Sequence, residues 1–189
     1  EKTAVHLITS TIEALMQPRV EKYVAKIDEL ISGLDEKARD LLAADADIDL
    51  AALAEGGGVD VPMNDEKRQQ LERYARSLEA LKELKWRYQE GPSGRGRAAT
   101  GITNSTGCSS VWGSTYPYNP YPFPWVNHLF QDAPSIAIGI FEGHMRKMQD
   151  NFVAVRRAEK VLEGTYDPET DEKFFTDFDW QQFTDEEFN

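Results

Sequence analysis

The sequence predicts a mostly α protein organised around a helical hairpin or small bundle. Three observations predict it. Apolar residues recur at helical spacing from Thr3 to Gly33, again from Asp65 to Glu90, and again from Pro134 to Leu162. Between the second and third runs helical periodicity stops, and that stretch holds one short segment suited to a strand. With 189 residues, 40% of them apolar, the chain is long enough for one domain with a core.

The first run places Val5, Ile8, Ile12, Leu15 and Met16 on one stripe, followed by Val20, Val24, Ile27, Leu30 and Ile31. Pro18 lies between them, and proline removes a backbone donor and crowds the preceding turn, so the run reads as two helices or one kinked helix. Gly33 stands in the position of a C-cap. Asp35 to Ala44 and Asp47 to Glu55 read as further short helices, each opened by an Asp able to cap free N–H groups, and Gly56, Gly57 and Gly58 end the pattern.

Asn64 is suited to cap the long run to Glu90, in which Leu71, Tyr74, Leu78, Leu81, Leu84 and Tyr88 form a stripe among Arg, Lys and Glu. At ~1.5 Å per residue this helix reaches nearly 40 Å and has to cover something. Gly91 to Arg97 (GPSGRGR) reads as a flexible connector, since it lacks the strand, Lys and Ser/Thr order of a phosphate-binding loop. Gly, Pro, Ser and Asn then dominate as far as Phe130, with a strand expected around Ala99 to Asn104. From Pro134 helical spacing returns through Ile136, Ile140, Met148, Phe152 and Val161, with Gly164 as its stop. The acidic, aromatic tail suggests a short helix near Trp180 to Phe188.

A formal charge of −12 has the wrong sign for gripping a phosphate backbone, so nucleic acid is not an expected partner. Apolar runs such as Ser135 to Phe141 fall far short of the ~20 residues of a membrane span. A single cysteine makes no internal disulfide, and the expected compartment is the cytoplasm. The first residue is Glu1 rather than Met, and the last stretch is acidic and aromatic, so the chain is expected to be a piece of a larger polypeptide.

Chemistry is densest at Asn104, Ser105, Thr106, Gly107, Cys108, Ser109 and Ser110. Small residues let a backbone approach a ligand, hydroxyls supply donors, and a thiolate suits iron. From the residues alone a buried structural thiol is the commoner reading of Cys108, with a cluster ligand as the alternative. Tyr116 to Trp125 (YPYNPYPFPW) reads either as a polyproline-type ligand or as an aromatic loop packed on a core. His6, His128 and His144 are far apart and lack ligand-like spacing.

TGCSSVWG (Thr106 to Gly113), a proline-rich stretch, and PWVNHLFQD (Pro124 to Asp132) resemble the pyruvate:ferredoxin (flavodoxin) oxidoreductase loop that reads ATGCSSIWG, then a proline-containing stretch, then PAWANSLFED. EKTAVHLITSTI (Glu1 to Ile12) resembles the helix after that family's C-x-x-C-G-E turn, with Glu1 in the glutamate's place. The resemblance implies that Cys108 is a metal ligand, one of four thiolates on a [4Fe–4S] cluster whose other ligands lie outside the chain. It also implies that Thr106, Gly107, Ser109, Ser110 and Glu1 border thiamine diphosphate with its Mg²⁺. The fold implied is a helical insertion attached to a fragment of an α/β thiamine-diphosphate-binding domain. The boundaries expected are residues 1–12 for the start of that domain, 13–98 for the insertion, 99–163 for the cofactor loop and its helix, and 164–189 for an acidic extension.

The chemistry implied is oxidative decarboxylation of a 2-oxoacid, expected to be pyruvate, to acetyl-coenzyme A and CO2. Electrons would pass through clusters to ferredoxin or flavodoxin. The implied partners are the remainder of the parent oxidoreductase, coenzyme A, the 2-oxoacid and the electron carrier, within a homo-oligomer. The family's G-D-G metal-binding turn does not occur in these 189 residues, so the diphosphate site is not complete here. One thiolate cannot hold four irons, so the isolated chain is expected to be inactive. The competing expectation is a non-catalytic helical interaction module that binds a protein through its aromatic, proline-rich loop or its long helix.

Overall fold

Residues 2–43, 65–105, 123–128 and 133–179 are described in a computed structural model. Their elements, in order, are α1 (Lys2–Ala43), α2 (Asp65–Gln89), β1 (Ile102–Ser105), β2 (Trp125–His128), α3 (Ala133–Glu163) and α4 (Thr170–Asp177). The protein is mostly α, as the periodicity predicts. The described residues form two compact units, one drawn from 2–25, 84–105, 123–128, 133–151 and 179, the other from 26–43, 65–83 and 152–178.

The second unit carries a helical core. Ile27, Leu30 and Leu34 lie one turn apart on α1 and are all but inaccessible, as are Leu81 on α2 and Ala158 on α3. Burying such side chains outweighs their propensity preferences and fixes the helices. Gly33 does not end a helix here; it lies inside α1, where an added Cβ would stand 3.0 Å from Leu162 Cδ1. Its absent side chain makes room for Leu162, so close packing rather than capping explains this glycine. Asp35 therefore opens no new helix, and its carboxylate instead pairs with Arg39 one turn on.

Helix α3 stops where predicted. Gly164 adopts a φ of +77°, and Thr165 N–H donates to Lys160 O at 3.0 Å, the Schellman closure of a helix end. Lys37 Nζ donates to the Leu162 carbonyl and satisfies another last-turn acceptor. The turn into α4 is held by Asp167, whose carboxylate accepts from Glu169 N–H at 3.0 Å and Thr170 Oγ1 at 2.8 Å. Asp171 accepts from Asp167 N–H at 2.9 Å and from Lys160 Nζ. Phe175 and Phe178 are buried, and Phe178 stacks on Phe152 with centroids 4.9 Å apart.

In the first unit Val24, Leu84, Tyr88 and Phe123 are buried, and Tyr23 meets Tyr88 at a ring separation of 5.1 Å. Pro18 lies inside α1 and does not divide it. Part of the N-terminal stripe that helical spacing predicts is not covered: Ile8 and Leu15 are 59% and 68% exposed. The first turns of α3 are alike, with Ile138, Ile140 and Phe141 exposed although the segment is apolar on every side. Strand β1 falls at Ile102–Ser105, near the expected 99–104. Strand β2 lies where only loop is expected, and it pairs with β1 in parallel, Ile102 against Trp125 through Ser105 against His128. Asp47 to Glu55, Gly56 to Gly58, Asn64 and Trp180 to Phe188 lie outside the described residues.

Candidate functional site

The six residues singled out by the sequence, Glu1, Thr106, Gly107, Cys108, Ser109 and Ser110, all lie outside the described residues. The backbone of Lys2, next to Glu1, and of Ser105, next to Thr106, is described. Strand β1 ends at Ser105, one residue before Thr106, and β2 begins at Trp125, one residue after Pro124. The two strands pair in parallel, with Ile102 against Trp125 and Ser105 against His128. Backbone pairing therefore joins the segment just before TGCSSVWG to the WVNH of PWVNHLFQD. Trp125 Nε1 donates to Asn104 Oδ1 at 2.8 Å, Ile102 N–H donates to Pro124 O at 2.9 Å, and buried Phe123 stacks with Trp125 at 6.4 Å. Trp125 and Asn104, named only as parts of motifs, are the side chains that tie the two strands.

Beside these strands lies a cleft of about 410 Å³, bordered by β1, Pro124, Val126 and the exposed Ile140 and Phe141 of α3. Its polar wall comes from residues 97–100. The turn Gly91 to Arg97 is an ordered cap on α2 rather than a flexible connector. Gly91 N–H donates to Trp86 O at 2.8 Å, Gly96 N–H to Glu90 O at 2.7 Å and Arg97 N–H to Tyr88 O at 3.2 Å. Gly91, Gly94 and Gly96 all have positive φ, which glycine adopts without steric penalty. An added Cβ on Gly96 would lie 2.3 Å from the Tyr88 carbonyl oxygen, so only glycine allows the turn to close.

This closure delivers Arg97. Its guanidinium donates to Tyr88 Oη at 2.6 Å and to His144 Nε2 at 3.0 Å, and lies 5.2 Å from the Tyr88 ring centroid. Guanidinium only donates, so His144 Nε2 accepts and its ring proton sits on Nδ1. Burial, and secondarily the Arg97 charge, push the His144 pKa below its ordinary 6.5 and keep the imidazole neutral. Ala99 N–H donates to Glu13 Oε1 at 3.0 Å and fixes the segment to α1. Thr100 Oγ1 is buried without a hydrogen-bond partner among the described residues.

The cleft thus offers one cation, one neutral imidazole and one unused hydroxyl beside an apolar wall. Sequence reasoning weighed Arg97 and His144 only separately, one in the Gly91 to Arg97 segment and one among the histidines, and did not name Thr100. Arg97 and His144 are 47 positions apart, a separation that carries no spacing signal. Among the described residues no group of three or more His, Cys, Asp or Glu converges as a metal site, and no helix is long and apolar enough to cross a membrane.

Part of the chain is similar to the pyruvate dehydrogenase [NADP(+)] of Cryptosporidium parvum, with 40% identity over 58 residues. The match covers 27% of this chain and 3% of that protein, so the chain spans a small part of its relative. No protein-family profile matches the chain. No solved structure matches it.

Proposed function

We propose that this chain is part of the thiamine-diphosphate-binding portion of a 2-oxoacid:ferredoxin or flavodoxin oxidoreductase, with Cys108 as a thiolate ligand of its [4Fe–4S] cluster. The observation that carries the reading is the parallel pairing of β1 with β2, which aligns the residues just before TGCSSVWG with the WVNH of PWVNHLFQD. In parallel α/β sheets ligands bind beyond the carboxyl ends of strands. The Thr106 to Ser110 loop starts at the carboxyl end of β1, where that rule puts a cofactor. The similarity to a pyruvate dehydrogenase supports the substrate class.

The donor set fits such a role. Backbone N–H groups around Gly107 and the hydroxyls of Thr106, Ser109 and Ser110 suit diphosphate oxygens or cluster sulfides, and Cys108 suits iron. When bound, thiamine diphosphate supplies the electron sink for decarboxylation. The chain's own residues would hold it and exclude water. The exposed apolar faces around Ile8, Leu15, Ile138 and Phe141 fit contact with the remainder of a larger polypeptide, since a helix segment apolar on every side belongs in an interior. The boundaries 1–12, 13–98, 99–163 and 164–189, the Mg²⁺, the coenzyme A and the electron carriers belong to the same proposal.

The test uses the parent polypeptide purified without oxygen. It is expected to contain iron, acid-labile sulfide and thiamine diphosphate, and to reduce methyl viologen only when pyruvate and coenzyme A are present. A parent protein lacking both iron and thiamine would refute the reading and favour an interaction module.

A further inference from the structure

A second cleft, of about 440 Å³, lies within the second unit, lined on one side by Arg73, Arg76, Ser77 and Ala80 of α2. These four share one helix face, because residues three and four apart are neighbours on an α-helix. Opposite them stand Arg157, Tyr166 and Glu172. In a chain of formal charge −12, three arginines around one cavity are a local inversion of sign.

Most of the other polar groups here are already engaged. Arg157 grips Glu172 with two bonds, Nε to Oε1 at 2.9 Å and Nη2 to Oε2 at 3.1 Å, and lies 5.0 Å from the Phe175 ring centroid. Tyr166 Oη donates to Glu172 Oε1 at 2.5 Å. Burial, then that hydrogen bond and the Glu172 charge, push the Tyr166 pKa up to about 12, so the phenol stays neutral.

Two groups are not engaged in this way. Arg73 lies over the Tyr166 ring at 5.4 Å and pairs with no carboxylate among the described residues. Ser77 is 4% exposed, and its Oγ has no hydrogen-bond partner among the described residues. A serine inside a helix ordinarily returns its hydroxyl to the carbonyl one turn back, and a buried hydroxyl left without any bond is costly. Arg76 is 82% exposed and reaches Glu72 only at 3.8 Å, a loose surface pair.

We propose that this cleft binds a phosphomonoester, with its phosphate on Arg73, Arg76 and the Ser77 hydroxyl and its organic group along the apolar wall of Ala80, Ala154 and Val161. The charge count selects the phosphate. Among the lining residues three arginines less Glu172 leave two positive charges, and Glu72, outside the lining, offsets Arg76 only through a loose, exposed pair at 3.8 Å; a phosphomonoester of about −1.5 to −2 at neutral pH matches that charge better than a single carboxylate does. The apolar wall selects an ester over the free ion. This site is separate from the proposed cluster loop and does not depend on it.

Calorimetric titration of the whole 189-residue chain with phenyl phosphate, inorganic phosphate and acetate tests the proposal. Phenyl phosphate is expected to bind with a Kd below about 1 mM. Inorganic phosphate is expected to bind more weakly, and acetate not at all. Arg76→Gln, a surface change that leaves packing intact, is expected to weaken phenyl phosphate about tenfold, and Ser77→Ala about fivefold. In phosphate-free buffer Ser77→Ala is expected to melt no lower than the native chain, because it removes an unbonded hydroxyl. No saturable binding, or binding unchanged in Arg76→Gln, would overturn the site. Acetate binding as tightly as phenyl phosphate would overturn the dianion, and inorganic phosphate binding as tightly would overturn the ester.

Discussion

Replacing Gly96 with Ala should cost far more than the same change two positions earlier, and the difference measures how tightly the Gly91 to Arg97 turn closes on α2. Gly96 has a φ of +73° and Gly94 a φ of +68°, so both alanines incur about 1 kcal/mol of left-handed strain. At Gly94 nothing lies within 4 Å of the new methyl, and the cost stops there. At Gly96 the methyl would stand 2.3 Å from Tyr88 O and 3.0 Å from Gln89 O, backbone atoms with no rotamer to adopt. The turn must open, which breaks Gly96 N–H to Glu90 O and Arg97 N–H to Tyr88 O, at about 1 kcal/mol each. Gly96→Ala should therefore lose about 3 kcal/mol in urea titration. It should also release Arg97 from His144, seen as a return of the His144 titration toward the ordinary value. Equal losses in the two alanine variants would refute the closed turn.

Leu81→Ala removes a fully buried side chain from the second unit and should cost about 3–5 kcal/mol in the same titration, whereas exposed Leu7→Ala should cost almost nothing. Hydrogen bonds hold two carboxyl pKa values below their ordinary range, Asp171 chiefly through Lys160 and Asp167 chiefly through Glu169 N–H. The unfolded chain then binds more protons in acid, so their contribution is complete above about pH 4 and is lost as pH falls through the depressed native values. Asp171→Asn should flatten that part of a stability-versus-pH curve. His144 should titrate below 6.5 by NMR, its neutral form favoured by burial and by Arg97, and Arg97→Gln should raise it.

Helix existence was legible from period alone, because Ile27, Leu30, Leu81 and Val161 bury at the spacing their sequence shows. Helix boundaries on α1 were not. Pro18 and Gly33 carry local signals for breaks, yet burial of the stripe beyond Pro18 holds the helix together, and Gly33 serves a contact with Leu162 that is remote in sequence. Strand β2 was hidden for a related reason. WVNH acquires strand geometry by pairing with ITNS, which is remote in sequence, and local composition does not encode that partner. The Arg97 to His144 contact escapes reading for the same cause, while the resemblance around Cys108 rests on local order and spacing and lies outside the described residues.

The most direct measurement is a quantitative electron paramagnetic resonance spectrum of the reduced parent polypeptide, recorded for the native protein and for Cys108→Ala. A thiolate bonded to iron requires that the variant lose, or convert, the signal of one [4Fe–4S] cluster while any other clusters keep theirs. An unchanged set of signals, with full iron content and pyruvate-dependent reduction, would show that the sulfur at position 108 ligates no iron.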